Sequence, residues 1–174
     1  VGLITNTGEL IFHVKQLMLS LDDILNNMKG SIVFVVKCSI HLSNLIINNG
    51  GTPIMAPTAH FHIKEAITKN KALLGGEMSG HIFFNDKWYG FDDGPYAAVR
   101  AAEILAKSDR AISDIFREFP ESFSTPELNI TVTDENKFEI IDRFMTNSNI
   151  DGDKILIDGL RVNFNDGWGL LRAS

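Results

Sequence analysis

The chain has 174 residues, 44% of them hydrophobic, and a formal net charge of −6. That length can bury a core for one domain or two small ones, and the acidic balance argues against a nucleic-acid binder, which needs a basic face to displace phosphate counterions. The longest apolar runs, such as residues 32–36, are far too short to span a membrane, and no charged-then-apolar leader is expected, so a soluble, cytoplasmic protein is the default. A single cysteine, Cys38, cannot form an internal disulfide, which agrees with a reducing compartment.

In chain order, Val1-Gly2-Leu3-Ile4 reads as a strand cut from something longer, and Thr5-Asn6-Thr7-Gly8 as a turn. Val14, Leu17, Met18, Leu21, Ile24 and Leu25 recur at three- and four-residue spacing, which predicts an amphipathic helix over 14–25 that Gly30 ends. Its stripe of Leu17, Met18 and Leu21 reads as core rather than as a cofactor contact. Residues 32–36 form a continuous β-branched run, the pattern of a strand buried on both faces of a parallel sheet. A helix over 38–48, a strand over 52–56, a helix over 61–70 and a strand at 72–74 follow. This alternation predicts an α/β fold, a mixed and mostly parallel sheet with helices on both faces and right-handed crossovers.

Next comes Gly75-Gly76-Glu77-Met78-Ser79-Gly80-His81, an acid, a hydroxyl and an imidazole within five residues, followed by the strand-like Ile82-Phe83-Phe84. Such a set of donors and acceptors suits a ligand rich in hydroxyls, and its glycines would let the backbone approach that ligand or take positive φ. Read alone, the segment is equally compatible with an ordinary turn. Ligands of open α/β sheets lie beyond the carboxyl ends of the strands, so Lys37, His60 and this loop, each placed just after a strand, would gather at one rim. Read alone, Lys37 is an ordinary solvated lysine, and His13, His41 and His62 are surface or satisfied core residues.

Phe91-Asp92-Asp93-Gly94-Pro95 looks like a helix start, with the aspartates read as caps rather than metal ligands. That helix continues through Tyr96, Val99, Ala102, Ile104 and Leu105, and a shorter one spans 112–119. The character changes near Pro120, and residues 121–126 read as a connector between domains. Beyond it, Leu128, Ile130 and Val132 alternate as one face of a strand, and Phe138, Ile141 and Phe144 mark a helix. Strands over 155–157, 160–164 and 168–171, joined by Asp158-Gly159 and Asp166-Gly167, predict an antiparallel sheet. The second part is thus expected to be an incomplete α+β domain, with both chain ends looking truncated.

Six stretches run the length of the chain in one order: Thr5-Asn6-Thr7-Gly8-Glu9, Val36-Lys37-Cys38, residues 76–81, Trp88-Tyr89-Gly90-Phe91-Asp92-Asp93-Gly94, Ser124-Thr125-Pro126-Glu127, and Gly167-Trp168-Gly169-Leu170-Leu171-Arg172-Ala173-Ser174. In these the chain resembles the α-D-phosphohexomutase family, in its bacterial phosphomannomutase/phosphoglucomutase branch. The resemblance implies that residues 1–7 are the last strand of a preceding domain, 8–120 an α/β sugar-recognition domain, and 121–174 part of an α+β phosphate-binding domain. It implies interconversion of hexose 1-phosphate and 6-phosphate through a bisphosphorylated sugar. A phosphoserine and Mg²⁺ would sit on missing N-terminal domains of the same enzyme, and glucose or mannose bisphosphate would be the activator. No metal ligand is expected within the chain itself, which is expected to be inactive alone.

The same resemblance implies the roles of individual residues. Glu77 and Ser79 would hydrogen-bond the sugar hydroxyls in both orientations of the substrate, while Lys37 supplies a cation near the transferring phosphoryl group. His60 and His81 would be the active-site imidazoles, able to shuttle protons. Arg172 and Ser174 would begin the loop that clamps the other phosphate, where a planar guanidinium suits phosphate oxygens. Met78 stands where relatives acting on amino sugars typically carry Gln, which favours mannose and glucose phosphates. Two departures stand out: Ala59 replaces the usual Gly before the histidine, which tightens the backbone there, and Ile40 and His41 replace arginines, which lowers the positive charge of the rim. The alternative of another class is a non-catalytic phosphosugar-binding or regulatory module. A nucleotide-binding domain lacks any GxGxxG or Walker-type loop here.

Overall fold

The computed structural model describes residues 1–173; Ser174 lies outside the described residues. The chain divides into two units, Val1–Glu121 and the residues from Ser122 onward. The first opens with a short antiparallel hairpin of β1 (Leu3–Ile4) and β2 (Leu10–Ile11), closed by a turn in which the Gly8 amide donates to the Thr5 carbonyl at 3.0 Å. Then follow α1 (His13–Asn27), β3 (Ser31–Val35), α2 (Ile40–Asn48), β4 (Thr52–Ala56), α3 (His60–Asn70), β5 (Leu74–Gly76), β6 (Ile82–Phe84), α4 (Gly94–Ala106) and α5 (Ile112–Arg117).

The central sheet has the order β4-β3-β5-β6, with β4, β3 and β5 parallel and β6 antiparallel to β5. This is the mixed, mostly parallel sheet expected from the alternating pattern. Its middle strand behaves as the apolar run dictated: Ile32, Val33, Phe34 and Val35 are all at most 2% exposed, so both faces of β3 are covered. From α1 the core takes Leu17, Met18, Leu21, Ile24 and Leu25, the stripe that its period set out.

Gly75 and Gly76 show how the two faces are covered. The sequence places them in a ligand loop, yet they are the last two residues of β5, fully buried, and neither takes positive φ. Successive side chains of a strand point to opposite faces. A Cβ on Gly75 would come within 2.8 Å of Ile63 and 2.7 Å of Ile67 of α3, whereas one on Gly76 would come within 2.5 Å of Leu17 of α1. The helices therefore pack on opposite faces of the sheet, each close enough to fill the space a side chain would need.

An ion pair fixes α4 to the same sheet. Arg100 is 3% exposed; its Nη1 donates to Asp86 Oδ2 at 2.8 Å and its Nη2 to Asp23 Oδ2 of α1 at 3.4 Å, while its guanidinium carbon lies 4.9 Å from the centre of the Phe84 ring. Burial opposes its charge, but the Tyr96 hydroxyl and the Asp86 carboxylate more than offset that and push its pKa above the ordinary arginine value.

The second unit contains α6 (Lys137–Asn147) and the antiparallel sheet β7-β8-β9 of Asp153–Ile155, Leu160–Asn163 and Trp168–Leu171. Arg161, 1% exposed, lies over Trp168, with its guanidinium carbon 4.2 Å from the ring centre. The strand expected over 128–132 does not form: these residues have no regular structure, and Leu128 and Ile130 are 85% and 76% exposed. Period-two alternation marks one apolar face, but a strand exists only where another offers its unpaired amides and carbonyls.

The close packing at β5 gives the first expectation. Gly76→Ala must push Leu17 aside inside a filled core, and should lower the unfolding free energy by about 1–3 kcal/mol in urea titrations. A loss near zero would mean that α1 is not held against β5 as described.

Candidate functional site

Because β3, β4 and β5 are parallel, the segments that follow them leave the sheet on one side. Lys37 lies in the tight turn past β3, where the Cys38 amide donates to the Val35 carbonyl at 2.9 Å. His60 opens α3 after the Pro57-Thr58-Ala59 connection from β4, and Glu77 directly follows β5. His81 immediately precedes β6, whose antiparallel start is paired with the end of β5 through Gly76 and Ile82. The five unit-one residues singled out in the sequence thus share one rim of the sheet.

The loop from Glu77 to His81 is closed by its own backbone. The Glu77 amide donates to the His81 carbonyl at 3.0 Å and the Gly80 amide to the Glu77 carbonyl at 3.2 Å. Gly80 has φ +96°, a conformation that favours glycine, and a Cβ there would lie 2.6 Å from the His13 ring, so this is the loop glycine that the geometry requires. Within the loop the Ser79 hydroxyl donates to Glu77 Oε2 at 2.8 Å. Glu77 is only 8% exposed, and its other oxygen, Oε1, is buried and takes no hydrogen bond from the described residues. A buried acceptor left open is costly to the fold and marks a place that a ligand can fill.

Two imidazoles stand beside this carboxylate. His60 and His81 meet edge to face with ring centres 4.3 Å apart, and one ring nitrogen from each lies with a Glu77 oxygen inside a group whose atoms are all within 4.8 Å of one another. His60 also packs edge-on against Phe83 at 5.3 Å. Their side chains remain 45% and 42% exposed, so the pair is reachable from solvent.

Asp92 is the site residue that sequence reasoning missed. Its Oδ2 lies 2.6 Å from His81 Nδ1 and 3.9 Å from His60 Nε2, and its backbone is held beside β6 by a bridge to Phe83. The capping role expected for the aspartate pair belongs to Asp93 alone, whose Oδ1 accepts from the Tyr96 amide at 2.9 Å and whose Oδ2 accepts from Trp88 Nε1 at 3.2 Å. The signal for Asp92 was present in the pairing itself, since one helix start needs only one capping carboxylate.

In the second unit Arg172 lies just past β9, and its Nε donates to Asp158 Oδ2 at 3.2 Å. Ser174, named with it in the sequence, lies outside the described residues. The donor set of the first unit does not suit Mg²⁺, which demands an octahedron of oxygens; two imidazoles and one carboxylate are not that set.

The backbone entering His60 is strained. Ala59 has φ 130° and ψ 145°, a region that side chains rarely adopt. The substitution for glycine noted in the sequence is therefore felt at the residue that aims His60. Ala59→Gly should relieve the strain and, after glycine's larger unfolded-state entropy, raise stability by about 1 kcal/mol in urea denaturation. A drop of similar size would show that Ala59 is not strained.

Residues 15–123 match the family model described as phosphoglucomutase/phosphomannomutase, alpha/beta/alpha domain III. The chain is 46% identical over 176 aligned residues to a phosphomannomutase/phosphoglucomutase of Pseudomonas putida, covering all of this chain and 38% of the relative. It is also 46% identical to a phosphoglucomutase of Neisseria meningitidis serogroup A, again spanning 38% of that relative. Among solved structures, a phosphoglucomutase/phosphomannomutase family protein from Burkholderia thailandensis superposes with a TM-score of 0.90 at 40% identity, over 99% of this chain and 37% of the other. The chain thus spans well under half the length of the relatives it matches.

Proposed function

The chain belongs to the phosphoglucomutase/phosphomannomutase family, and from that premise we propose that it supplies the sugar-recognition face of a longer phosphohexomutase acting on mannose and glucose phosphates. The observation that carries the reading is the Glu77 carboxylate, buried at the rim with one oxygen held by Ser79 and the other left open. A sugar hydroxyl donating to Oε1 would satisfy that acceptor, while the Ser79 oxygen, its proton given to Oε2, can accept from a neighbouring hydroxyl. A recognition pair of this kind tolerates a sugar bound in either direction, which the interconversion of 1- and 6-phosphates requires.

In this reading a phosphoserine outside the chain passes its phosphoryl group to a hexose phosphate. The bisphosphorylated sugar reorients, and the original phosphate returns to the serine. Catalysis of such transfers is mainly positioning and charge stabilisation. Lys37 contributes positive charge past β3, and His60 or His81, with Asp92 behind, takes or returns the hydroxyl proton. Arg172 belongs to a phosphate clamp and would exchange its contact with Asp158 for phosphate oxygens. Residues 8–120 form the sugar-recognition domain, 1–7 the last strand of the domain before it, and 121–174 part of a phosphate-binding domain. Mg²⁺ would be held elsewhere in the longer enzyme, a hexose bisphosphate would serve as activator, and the chain alone would not turn over. The reaction would take place in the cytoplasm, where phosphosugars are available and a lone cysteine stays reduced. Among the described residues no helix is long and apolar enough to cross a membrane.

In a chain extended to the length of its relatives, Glu77→Ala and Lys37→Ala should each cut kcat/KM for mannose 1-phosphate by about a hundredfold, as loss of a transition-state contact does. Melting of the variants should shift far less than that loss implies. Variants as active as the parent would overturn the assignment of both residues.

A further inference from the structure

The rim groups read above as holding the sugar and moving its proton also form a set of metal-ligating side chains. His60, Glu77 and His81 each offer a ligand atom in a group with no separation above 4.8 Å. Two imidazole nitrogens and a carboxylate oxygen form the donor set of open Zn²⁺ sites, which hold three protein ligands and leave a fourth position to water. Bonds of about 2.0–2.1 Å place tetrahedral ligand atoms about 3.4 Å apart, so side-chain rotations suffice to close the set from the separations seen.

Two further observations point to a cation here. The first is Glu77 Oε1, more than nine-tenths buried with its residue and accepting nothing from the described residues. The second is Asp92, whose carboxylate lies 2.6 Å from His81 Nδ1. With Nδ1–H donating to that carboxylate, the proton-free nitrogen of His81 is Nε2, and the imidazole is made a better donor, the carboxylate–histidine arrangement that supports metal ligands.

We propose that His60, Glu77 and His81 bind one transition-metal dication of the Zn²⁺ class, with Asp92 as the residue that positions His81. The inference does not rest on the sugar-recognition reading, and a sugar hydroxyl and the metal would compete for Glu77 Oε1. It is selective in chemistry: imidazole donors suit Zn²⁺, Co²⁺ or Ni²⁺ and disfavour Mg²⁺ and Ca²⁺.

The test is a titration of the 174-residue chain with Co²⁺, read by the visible bands of four- or five-coordinate cobalt, which hexaaqua and surface-bound Co²⁺ do not give at comparable strength. One equivalent should develop these bands, and Zn²⁺ should abolish them where Mg²⁺ does not. His60→Ala and His81→Ala should each weaken binding at least tenfold, and Asp92→Ala by about tenfold through the ring it orients. His41→Ala and His62→Ala should leave it unchanged. In the unmutated chain, Zn²⁺ should move the ring proton resonances of His60 and His81 ahead of the other histidines, which tests the site even if a variant fails to fold. Bands that persist in both His60→Ala and His81→Ala, the absence of bands at one equivalent, or resonance shifts confined to other histidines would each overturn the proposal.

Discussion

Two side-chain-free positions at the end of one strand set the geometry of the first unit. Gly75 and Gly76 let α3 and α1 pack directly onto opposite faces of β5, with Ile63 and Ile67 on one side and Leu17 on the other occupying the space where side chains would stand. The next residue is Glu77. Because β5 is clamped from both faces, the backbone that leaves it has little freedom, and a short loop closed by two hydrogen bonds of its own can hold a carboxylate in a fixed place. The rim is therefore a consequence of the core.

That fixed carboxylate accounts for the chemistry of the rim. Burying Glu77 is unfavourable in isolation, since a charge loses its hydration. The Ser79 hydroxyl returns part of that loss through Oε2, and the remainder stays as an unfilled acceptor beside two imidazoles. A preorganised group of this kind binds a ligand without the cost of assembling the site at the moment of binding. Strain at Ala59 has the same character, a local cost sustained by a rigid surrounding, and it falls at the residue that leads into His60.

The legibility of the sequence followed from what each signal measures. Continuous apolar runs and three-to-four-residue spacing report burial, and burial is what builds β3 and α1, so those elements and the mixed sheet were readable. Alternation in 128–132 reports one apolar face but not a pairing partner, and no strand forms there. Gly75 and Gly76 look like loop glycines in the sequence because composition cannot separate conformational freedom from close packing; only the neighbours Ile63, Ile67 and Leu17 decide it. The Glu77–Ser79 pair is legible in the sequence because the two residues stand two positions apart in one loop. Asp92 looks like a cap in the sequence because its partner, His81, lies eleven residues away across a strand and a turn.

Asp92 and Asp93 show how a fold divides work between identical neighbours. Asp93 satisfies the orphan amide of Tyr96 at the start of α4 and holds the Trp88 indole, which stacks on Tyr96 with ring centres 4.3 Å apart. That cap fixes where α4 begins. Further along the same helix, Arg100 ties it to Asp86 and Phe84 at the end of β6. With α4 anchored at both points, the backbone bridge from Asp92 to Phe83 is registered, and the Asp92 side chain is delivered to His81. The contact that orients His81 is thus linked, through Asp92 and the start of α4, to a buried ion pair two turns along that helix. Helix anchoring and site geometry are one constraint here, which is why a carboxylate that a capping rule alone would count as redundant has a separate role.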